Sequence, residues 1–146
     1  MQQRIRMGKV QPEAYKVMLS MEKYIDGTGL KPLHKEMIRI RASQINGCSY
    51  CLDMHTRDAR KLGETEQRIY LLSAWKETRL YTAEERAILA LTEEITLIQG
   101  QVSDAVYDDA LSLLGEEYLA QVIMLIICIN MWNRIGISGK MEPGED

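Results

Sequence analysis

The segment from Leu119 to Trp132 limits the possible folds of this chain more than any other feature. It reads LAQVIMLIICINMW, so it is 14 residues long and almost entirely apolar. A helix needs about 20 apolar residues to cross a bilayer, which favours a buried helix and predicts no membrane partner. Its apolar residues cover every side of such a helix, and one small domain has little core in which to bury them all. We therefore predict that the segment packs against other copies of the chain, which gel filtration with light scattering can test.

The rest of the sequence predicts an all-α fold of about six to seven helices with no sheet. Prolines that suit a first helical turn, glycine stop signals and the capping box Thr82-Ala83-Glu84-Glu85 divide the chain into helical segments. The predicted helices cover residues 12–25, 32–45, 48–62, about 65 to 75, 83–100, 103–115 and 117–133. Residues 122–129 are rich in β-branched side chains and could form a buried strand. No other segment has the period-two alternation of a strand that could pair with it.

Length and composition favour a single domain over residues 1–146. We expect its core motif at about 33–100 and its C-terminal helices 103–135 at an oligomer interface. The apolar share of 46% is too high for a disordered chain. Lys and Arg number 18 against 21 Asp and Glu. This balance predicts no nucleic-acid partner, because phosphate binding needs clustered basic residues. The N-terminal MQQRIRMGKVQ lacks the apolar stretch of a secretory signal, so we expect a cytoplasmic protein.

Two of the three cysteines lie in a Cys-x-x-Cys pair, with a histidine four residues after it. Three cysteines are too few for a disulfide scaffold. On a helix, Cys48, Cys51 and His55 share one face within two turns. The preceding Asn46-Gly47 places Cys48 at the helix start, where free N–H groups and the helix dipole stabilise a nucleophilic thiolate. His55 is within reach of Cys51 for proton transfer, and the dithiol can close into a disulfide after one sulfur is oxidised.

Two structural interpretations compete with thiol chemistry. A zinc site needs four ligands, but only His34 and Cys128 remain, and Cys128 lies in the apolar segment. Ligand counting therefore predicts no metal. The second interpretation is a pair of buried cysteines beside a core histidine. The joint occurrence of the three residues on one helix face behind Asn-Gly favours redox chemistry.

Glu36 lies on the preceding predicted helix, 12 residues before Cys48. Most glutamates on helix surfaces are simply solvated, and Arg39 and Arg41 could be either its partners or surface charges. A functional Glu36 would face His55 across the helix pair, orient the imidazole ring and accept its proton. The periodicity leaves both possibilities open.

The stretch from Glu36 to Trp75 closely resembles the AhpD-like alkylhydroperoxidases of the carboxymuconolactone decarboxylase superfamily. It reads EMIRIRASQINGCSYCLDMHTRDARKLGETEQRIYLLSAW, and the resemblance continues through residues 81–96 and, more loosely, 130–134. The resemblance implies an all-helical fold that assembles into trimers or hexamers. That assembly agrees with the expected packing of the apolar segment between copies.

The resemblance also implies a peroxidase site made of Glu36, Cys48, Cys51 and His55. In the family the second cysteine attacks the peroxide, so Cys51 becomes a sulfenic acid and Cys48 then forms the disulfide. Glu36 and His55, with water, relay the proton that activates Cys51, and we expect no cofactor. One departure is Tyr50, which stands where the best-characterised members carry a second histidine. Tyrosine has a high pKa and is a poorer proton shuttle at neutral pH.

Two features of the sequence favour different cysteines as the reactive thiol. The helix start favours Cys48 as the more acidic thiol, whereas the position of His55 favours Cys51. We expect Cys51 to be the nucleophile, because a positioned base outweighs a dipole contribution of about 0.3–1 kcal/mol at an exposed helix start.

These observations predict a thiol-dependent peroxidase that acts on hydroperoxides, and the resemblance suggests a lipoyl-bearing protein or a small dithiol as its reductant. A redox sensor or other dithiol oxidoreductase is an alternative, in which the pair reports redox state without turnover. A lactone decarboxylase, as in the superfamily name, is the third possibility. Such enzymes generally lack the Cys-x-x-Cys, so the intact dithiol argues against it here.

Overall fold

A computed structural model describes residues 4–144 of the chain. All regular structure in this part is helical, which confirms the predicted all-α class with no sheet. The predicted domain over residues 1–146 includes residues 1–3 and 145–146, which lie outside the described residues. The helices are α1 (Met7–Val10), α2 (Pro12–Asp26), α3 (Pro32–Asn46), α4 (Ser49–Lys61), α5 (Glu66–Tyr70), α6 (Ala83–Thr96), α7 (Asp104–Leu114) and α8 (Glu116–Gly139), with 3-10 segments at Leu72–Glu77 and Ile98–Gly100.

Helix α3 lies at the centre of the fold, where it packs against α4, α6 and α8. Its middle is buried on nearly every side, and Ile38, Ile40 and Ala42 have almost no exposed surface. Apolar side chains of α6 and α8 complete this core: Ile88, Leu89, Leu91, Val122, Leu125, Ile126 and Ile129. Because α3 has little solvent face, the charged side chains of Glu36 and Arg39 are carried into the interior with it.

Helix α8 contains the long apolar segment and continues to Gly139, past the predicted end at residue 133. One side of α8 is buried in the core, whereas Ile127 is 47% exposed and Ile137 is 44% exposed. By length and composition alone α8 could cross a membrane, a test that core helices of soluble proteins also pass. The prediction of a buried helix is confirmed for one side of α8. Its other side leaves Ile127 and Ile137 uncovered in a single chain, together with charged Arg134.

Two predicted helices are shorter in the structure than in the sequence interpretation. The helix expected from about residue 65 ends at Tyr70 and is followed by a 3-10 segment. Tyr81 accounts for the break, because its hydroxyl donates to the carbonyl of Arg68, the acceptor that a continued helix would offer to the N–H of Leu72. Further on, the Arg86 guanidinium donates to the carbonyls of Trp75 and Thr78, at 3.0 and 2.9 Å, and so holds the end of the 3-10 segment. Helix α6 ends at Thr96 rather than Gly100, so Ile98 lies outside the helix and is exposed. The short helix α1 has no counterpart in the sequence prediction.

A buried polar cluster fixes the end of α3 against α8. The amide of Asn46 donates to the Oδ1 atoms of Asn130 and Asn133, at 2.9 Å each, and Asn133 donates to Ser43 Oγ at 2.9 Å. Buried amides need such partners, since an unpaired one costs about 1–3 kcal/mol. The cluster therefore sets where α3 stops and where the chain turns toward Cys48.

Candidate active site

Cys48 and Cys51 form a disulfide at the start of α4, as their position after Asn46-Gly47 predicts. Gly47 ends α3 with a φ of +74°, in the left-handed region that glycine adopts without strain. Cys48 is the N-cap residue of α4, and its Sγ accepts a hydrogen bond from the Cys51 N–H at 3.3 Å. In the reduced protein, the same backbone donor and the helix start would stabilise a thiolate at Cys48.

A cavity of about 400 Å³ opens beside the disulfide. Cys51 is one of its lining residues and Cys48 is not. The other lining residues come from α2, α3, α4, α8 and the chain after α8: Tyr15, Leu19, Glu22, Asp26, Arg39, Tyr50, Met54, His55, Asp58, Trp132, Ile135, Gly136 and Met141. This volume lies in the range of about 300–1,000 Å³ that is typical of small-ligand sites. A small molecule in this cavity would meet Cys51 and His55 together.

Gly136 of α8 lines the cavity and also packs directly against the disulfide. A Cβ atom added to Gly136 would lie 3.0 Å from Cys48 Sγ and 3.6 Å from Cys51 Sγ. Carbon and sulfur atoms do not pack at 3.0 Å without one of them moving, so only glycine lets α8 approach this closely. The disulfide is therefore backed by α8 and open toward the cavity.

Glu36 and His55 meet across the α3–α4 pair. His55 Nδ1 lies 2.9 Å from Glu36 Oε2, and Arg39 Nη1 donates to Glu36 Oε1 at 2.6 Å. Burial by itself would raise the pKa of Glu36, but the hydrogen bonds and charges of His55 and Arg39 hold this pKa below its usual value. Since an ionised carboxylate can only accept, Nδ1 of His55 carries the proton and Nε2 is the basic nitrogen.

Arg39 links this pair to α2. Its Nη2 donates to Glu22 Oε2 at 2.9 Å, so one buried guanidinium bridges two carboxylates. Burial would lower the pKa of Arg39, but Glu36 and Glu22 raise it overall. The other oxygen of Glu22, Oε1, accepts from Trp132 Nε1 at 2.9 Å. Hydrogen bonds therefore run without a break from His55 through Glu36, Arg39 and Glu22 to α8.

The third cysteine is separate from this chemistry. Cys128 is fully buried in α8, outside the cavity, and its Sγ donates to Glu22 Oε1 at 3.2 Å. Burial, followed by the negative charge of Glu22, raises the pKa of Cys128 to about 12. Cys128 therefore stays a thiol at neutral pH and is a poor nucleophile.

The donors near the disulfide do not fit a zinc centre. Glu36, His55 and Asp58 place one potential ligand atom each within 4.8 Å of one another. Both oxygens of Glu36 already accept hydrogen bonds, and zinc requires a fourth ligand. The sulfurs of a disulfide are not thiolates. His34, the remaining histidine, lies outside the cavity and pairs with the Tyr118 hydroxyl at 2.8 Å.

The structure brings all four predicted site residues to the cavity wall or directly behind it. Cys51 and His55 line the cavity, Glu36 lies behind His55, and Cys48 lies behind Cys51 against α8. Their catalytic roles remain predictions. Tyr50, the residue that departs from the resemblance, also lines the cavity.

Other residues of the site have little or no signal in the sequence. Of the two arginines near Glu36, Arg39 is its partner, whereas Arg41 pairs with Glu93 at 3.0 Å. Nothing in the periodicity points to Glu22. A glycine inside an otherwise apolar helix is the one signal that could have drawn attention to Gly136.

Solved structures share the fold closely. The crystal structure of ATU0492 from Agrobacterium tumefaciens superposes with a TM-score of 0.95 at 34% identity, over 99% of this chain and all of that one. ATU0492 is described as a protein of unknown function with AhpD, an antioxidant defence protein, as its suggested identity. The debrominase Bmp8 has a TM-score of 0.84 at 20% identity, over 94% of this chain and 74% of Bmp8. The likeness to Bmp8 shows a common fold alone.

The fold and the site define an all-helical protein with a disulfide-bonded cysteine pair at a cavity. Residues 12–94 match the carboxymuconolactone decarboxylase family. The uncharacterized protein YdfG of Bacillus subtilis strain 168 is 47% identical over 139 residues, which cover 94% of this chain and 95% of YdfG. The chain belongs to the carboxymuconolactone decarboxylase family and is an AhpD-like member of it.

We predict that Gly136→Ala slows formation of the Cys48–Cys51 disulfide at least severalfold, because the new methyl group would displace Cys48 Sγ. Gly139→Ala is a matched control on the same helix, since a Cβ there would meet its nearest neighbours at ordinary distances of 3.6 and 3.7 Å. Thiol titration after addition of a mild oxidant measures the rate in both variants. Equal rates in the two would contradict the assigned role of Gly136.

We also predict that Glu36→Gln destabilises the oxidised protein at pH 7 by about 1–3 kcal/mol, as expected when a hydrogen bond to a charged partner is lost. The folded-state pKa of Glu36 lies below its usual value of 4.5, so ionised Glu36 stabilises the fold above that pH. This contribution disappears as the pH falls through the lowered folded-state pKa.

Urea denaturation at pH 7 and near pH 3.5 measures the free energy of unfolding of wild type and of Glu36→Gln. Glu13→Gln, which removes an exposed carboxylate, is the control and should match wild type within about 0.5 kcal/mol. A stability difference for Glu36→Gln that persists or grows at the acidic pH would show that the ionised carboxylate is not its source.

Proposed function

We propose that this protein is a dithiol peroxidase that reduces hydroperoxides at Cys51, with Cys48 as the resolving thiol. The main support for the proposal is that Cys51 and His55 line one cavity, while Glu36 is hydrogen-bonded to His55 Nδ1 on the side away from it. Membership of the carboxymuconolactone decarboxylase family and the AhpD identity suggested for ATU0492 support it.

The first step is the attack of Cys51 on the peroxide. In the reduced protein, His55 Nε2 removes the proton of the Cys51 thiol, directly or through water, and Glu36 stabilises the resulting imidazolium. The thiolate attacks the terminal oxygen of the hydroperoxide and the O–O bond breaks. The leaving alkoxide takes the proton back as an alcohol, and Cys51 becomes a sulfenic acid.

The second step closes the disulfide. Cys48, at the helix start, loses its proton and attacks the Cys51 sulfur as a thiolate. The S–O bond breaks, and the hydroxyl takes up that proton and leaves as water. The product is the Cys48–Cys51 disulfide that the structure contains. A dithiol reductant, such as a lipoyl-bearing protein or a small dithiol, then exchanges with this disulfide and restores both thiols while it becomes a disulfide itself.

His55 is the one histidine among the lining residues of the cavity. Tyr50 occupies the place where related enzymes carry a second histidine, and a phenol is a weak proton shuttle at neutral pH. We therefore assign proton removal from Cys51 to His55 alone, with Tyr50 as a wall of the cavity.

We predict that Cys51→Ser abolishes peroxide consumption in an assay coupled to dihydrolipoamide, because serine does not form the nucleophilic thiolate. Cys48→Ser should allow a single turnover and leave a Cys51 sulfenic acid that dimedone traps. Cys128→Ser is the control, since Cys128 lies outside the cavity, and it should keep wild-type turnover. Unchanged turnover in Cys51→Ser would refute the proposed function.

The same variants separate the alternatives. A sensor would form the Cys48–Cys51 disulfide reversibly, by mass spectrometry, without catalytic loss of peroxide. A lactone decarboxylase would keep its activity after both cysteines are replaced, because its chemistry uses acid–base groups alone. Either result would replace the peroxidase assignment.

We further propose that the chain forms a homo-oligomer, a trimer or a hexamer, through apolar side chains that lie exposed in the single chain. Val17 of α2 is 70% exposed, and Ile127 and Ile137 of α8 are about half exposed. Light scattering should give a molar mass that is a multiple of the 16.8 kDa chain mass. The Ile127→Glu variant should have a lower measured mass than wild type. Arg79→Glu is the surface control, and a monomeric wild type would contradict the proposal.

A further inference from the structure

A second cavity of about 600 Å³ adjoins the cavity at Cys51. Four side chains line both: Tyr15, Tyr50, Ile135 and Met141. These are aromatic or apolar over most of their surface, so the passage between the two cavities is suited to a hydrocarbon chain. Both volumes lie in the range of small-ligand sites.

The two cavities differ in charge. The second, which we call the basic cavity, is lined by Arg4, Arg6 and Lys9 and by no acidic residue of the described chain. The cavity at Cys51 is lined by more acidic than basic side chains. The carboxylates of Glu22, Asp26 and Asp58 outnumber the basic groups of Arg39 and His55. A ligand with one negative group is therefore attracted to the basic cavity and repelled from the cavity at Cys51.

The basic cavity is part of the fold rather than a loose arrangement of the N-terminal residues. The backbone N–H of Arg4 donates to the carbonyl of Gly139 at 3.2 Å, and its Nη1 donates to the carbonyl of Ser138 at 3.2 Å. These bonds fasten the N-terminal segment to the end of α8. The same helix that backs the disulfide thus also positions the basic residues.

From this charge contrast we infer that the substrate is a hydroperoxide of a long-chain carboxylic acid, an inference that rests on the proposed peroxidase function. The carboxylate lies in the basic cavity near Arg4 and Lys9. The hydrocarbon chain passes between Tyr15 and Tyr50, and the uncharged hydroperoxide group reaches Cys51. Charge thereby fixes which end of the substrate enters first.

The first test compares a fatty acid hydroperoxide with its methyl ester, below the concentration at which either forms micelles. The acid should have a kcat/KM roughly two- to tenfold higher at low salt, as expected for one or two exposed charge pairs. The preference should shrink at about 0.5 M salt, where exposed charges are screened. Equal values of kcat/KM for acid and ester at low salt would overturn the inference.

Charge-removing variants locate the effect. Lys9→Gln and Arg4→Gln should each reduce the preference for the acid, mainly through KM, and the double variant should abolish it. Arg79→Gln removes one exposed positive charge that lines neither cavity, and it should keep the preference. If Arg79→Gln reduced the preference for the acid as much as Lys9→Gln does, the preference would be an effect of net charge. That result would overturn the assigned site.

Neutral tert-butyl hydroperoxide separates this inference from the proposed function. Turnover of the neutral substrate with no acid preference leaves the peroxidase function standing and overturns the basic-cavity site. A binding measurement gives a second readout, because Trp132 lines the cavity at Cys51 and its fluorescence should respond to oleate more strongly than to methyl oleate. Oleate binding without turnover of any hydroperoxide would overturn the substrate assignment together with the peroxidase function.

An anionic reductant is the competing occupant of the basic cavity. Reduction of the Cys48–Cys51 disulfide by dihydrolipoate and by dihydrolipoamide compares a charged and an uncharged dithiol directly. Similar rates for the two dithiols support the inference. A preference for dihydrolipoate that Lys9→Gln removes, with no preference among hydroperoxides, would assign the basic cavity to the reductant and overturn the inference.

Discussion

The guanidinium of Arg39 is the interaction on which the site depends. It is buried between the carboxylates of Glu36 and Glu22, and it therefore connects α3 to α2 while Glu36 connects α3 to His55 of α4. Burying three charges is unfavourable unless each is paired and hydrogen-bonded. The pairing is possible here because α3 is central and directs the two buried charges, Glu36 and Arg39, toward neighbouring helices. The orientation of His55 is consequently set by the interior of the protein and not by a surface loop.

The disulfide has two unlike sides, and this asymmetry decides which sulfur a ligand can reach. Gly136 allows α8 to lie against Cys48, and the cavity lies on the side of Cys51. The helix start favours thiolate character at Cys48. The shape of the cavity therefore acts on one sulfur, that of Cys51, whereas the backbone electrostatics of the helix start act on the other.

Local signals predicted the elements of this fold, and long-range contacts account for what they missed. Asn46-Gly47 and the Thr82–Glu85 capping box mark helix ends where the structure has them. At the break after Tyr70, the carbonyl of Arg68 accepts from the hydroxyl of Tyr81, a residue further along the chain. The contact between Gly136 and Cys48 joins residues on different helices and leaves no periodic trace. The Cys-x-x-Cys and His55 were visible because two helical turns bring them onto one face. The pairing of Arg39 with Glu22 on α2 was not visible, since it joins two different helices.

Helices α2 and α3 both have 15 residues, but α2 lies at the surface of the protein and α3 lies at its centre. Eight residues of α3 are buried, whereas Ile25 is the one buried residue of α2. Yet α2 supplies a wall of the cavity, held by Glu22 and by the edge-to-face contact of Tyr15 with Trp132. Local opening takes the least free energy where few side chains are buried. We therefore expect α2 to be the wall of the cavity that opens at the lowest free energy, and any such opening would separate Glu22 from Arg39.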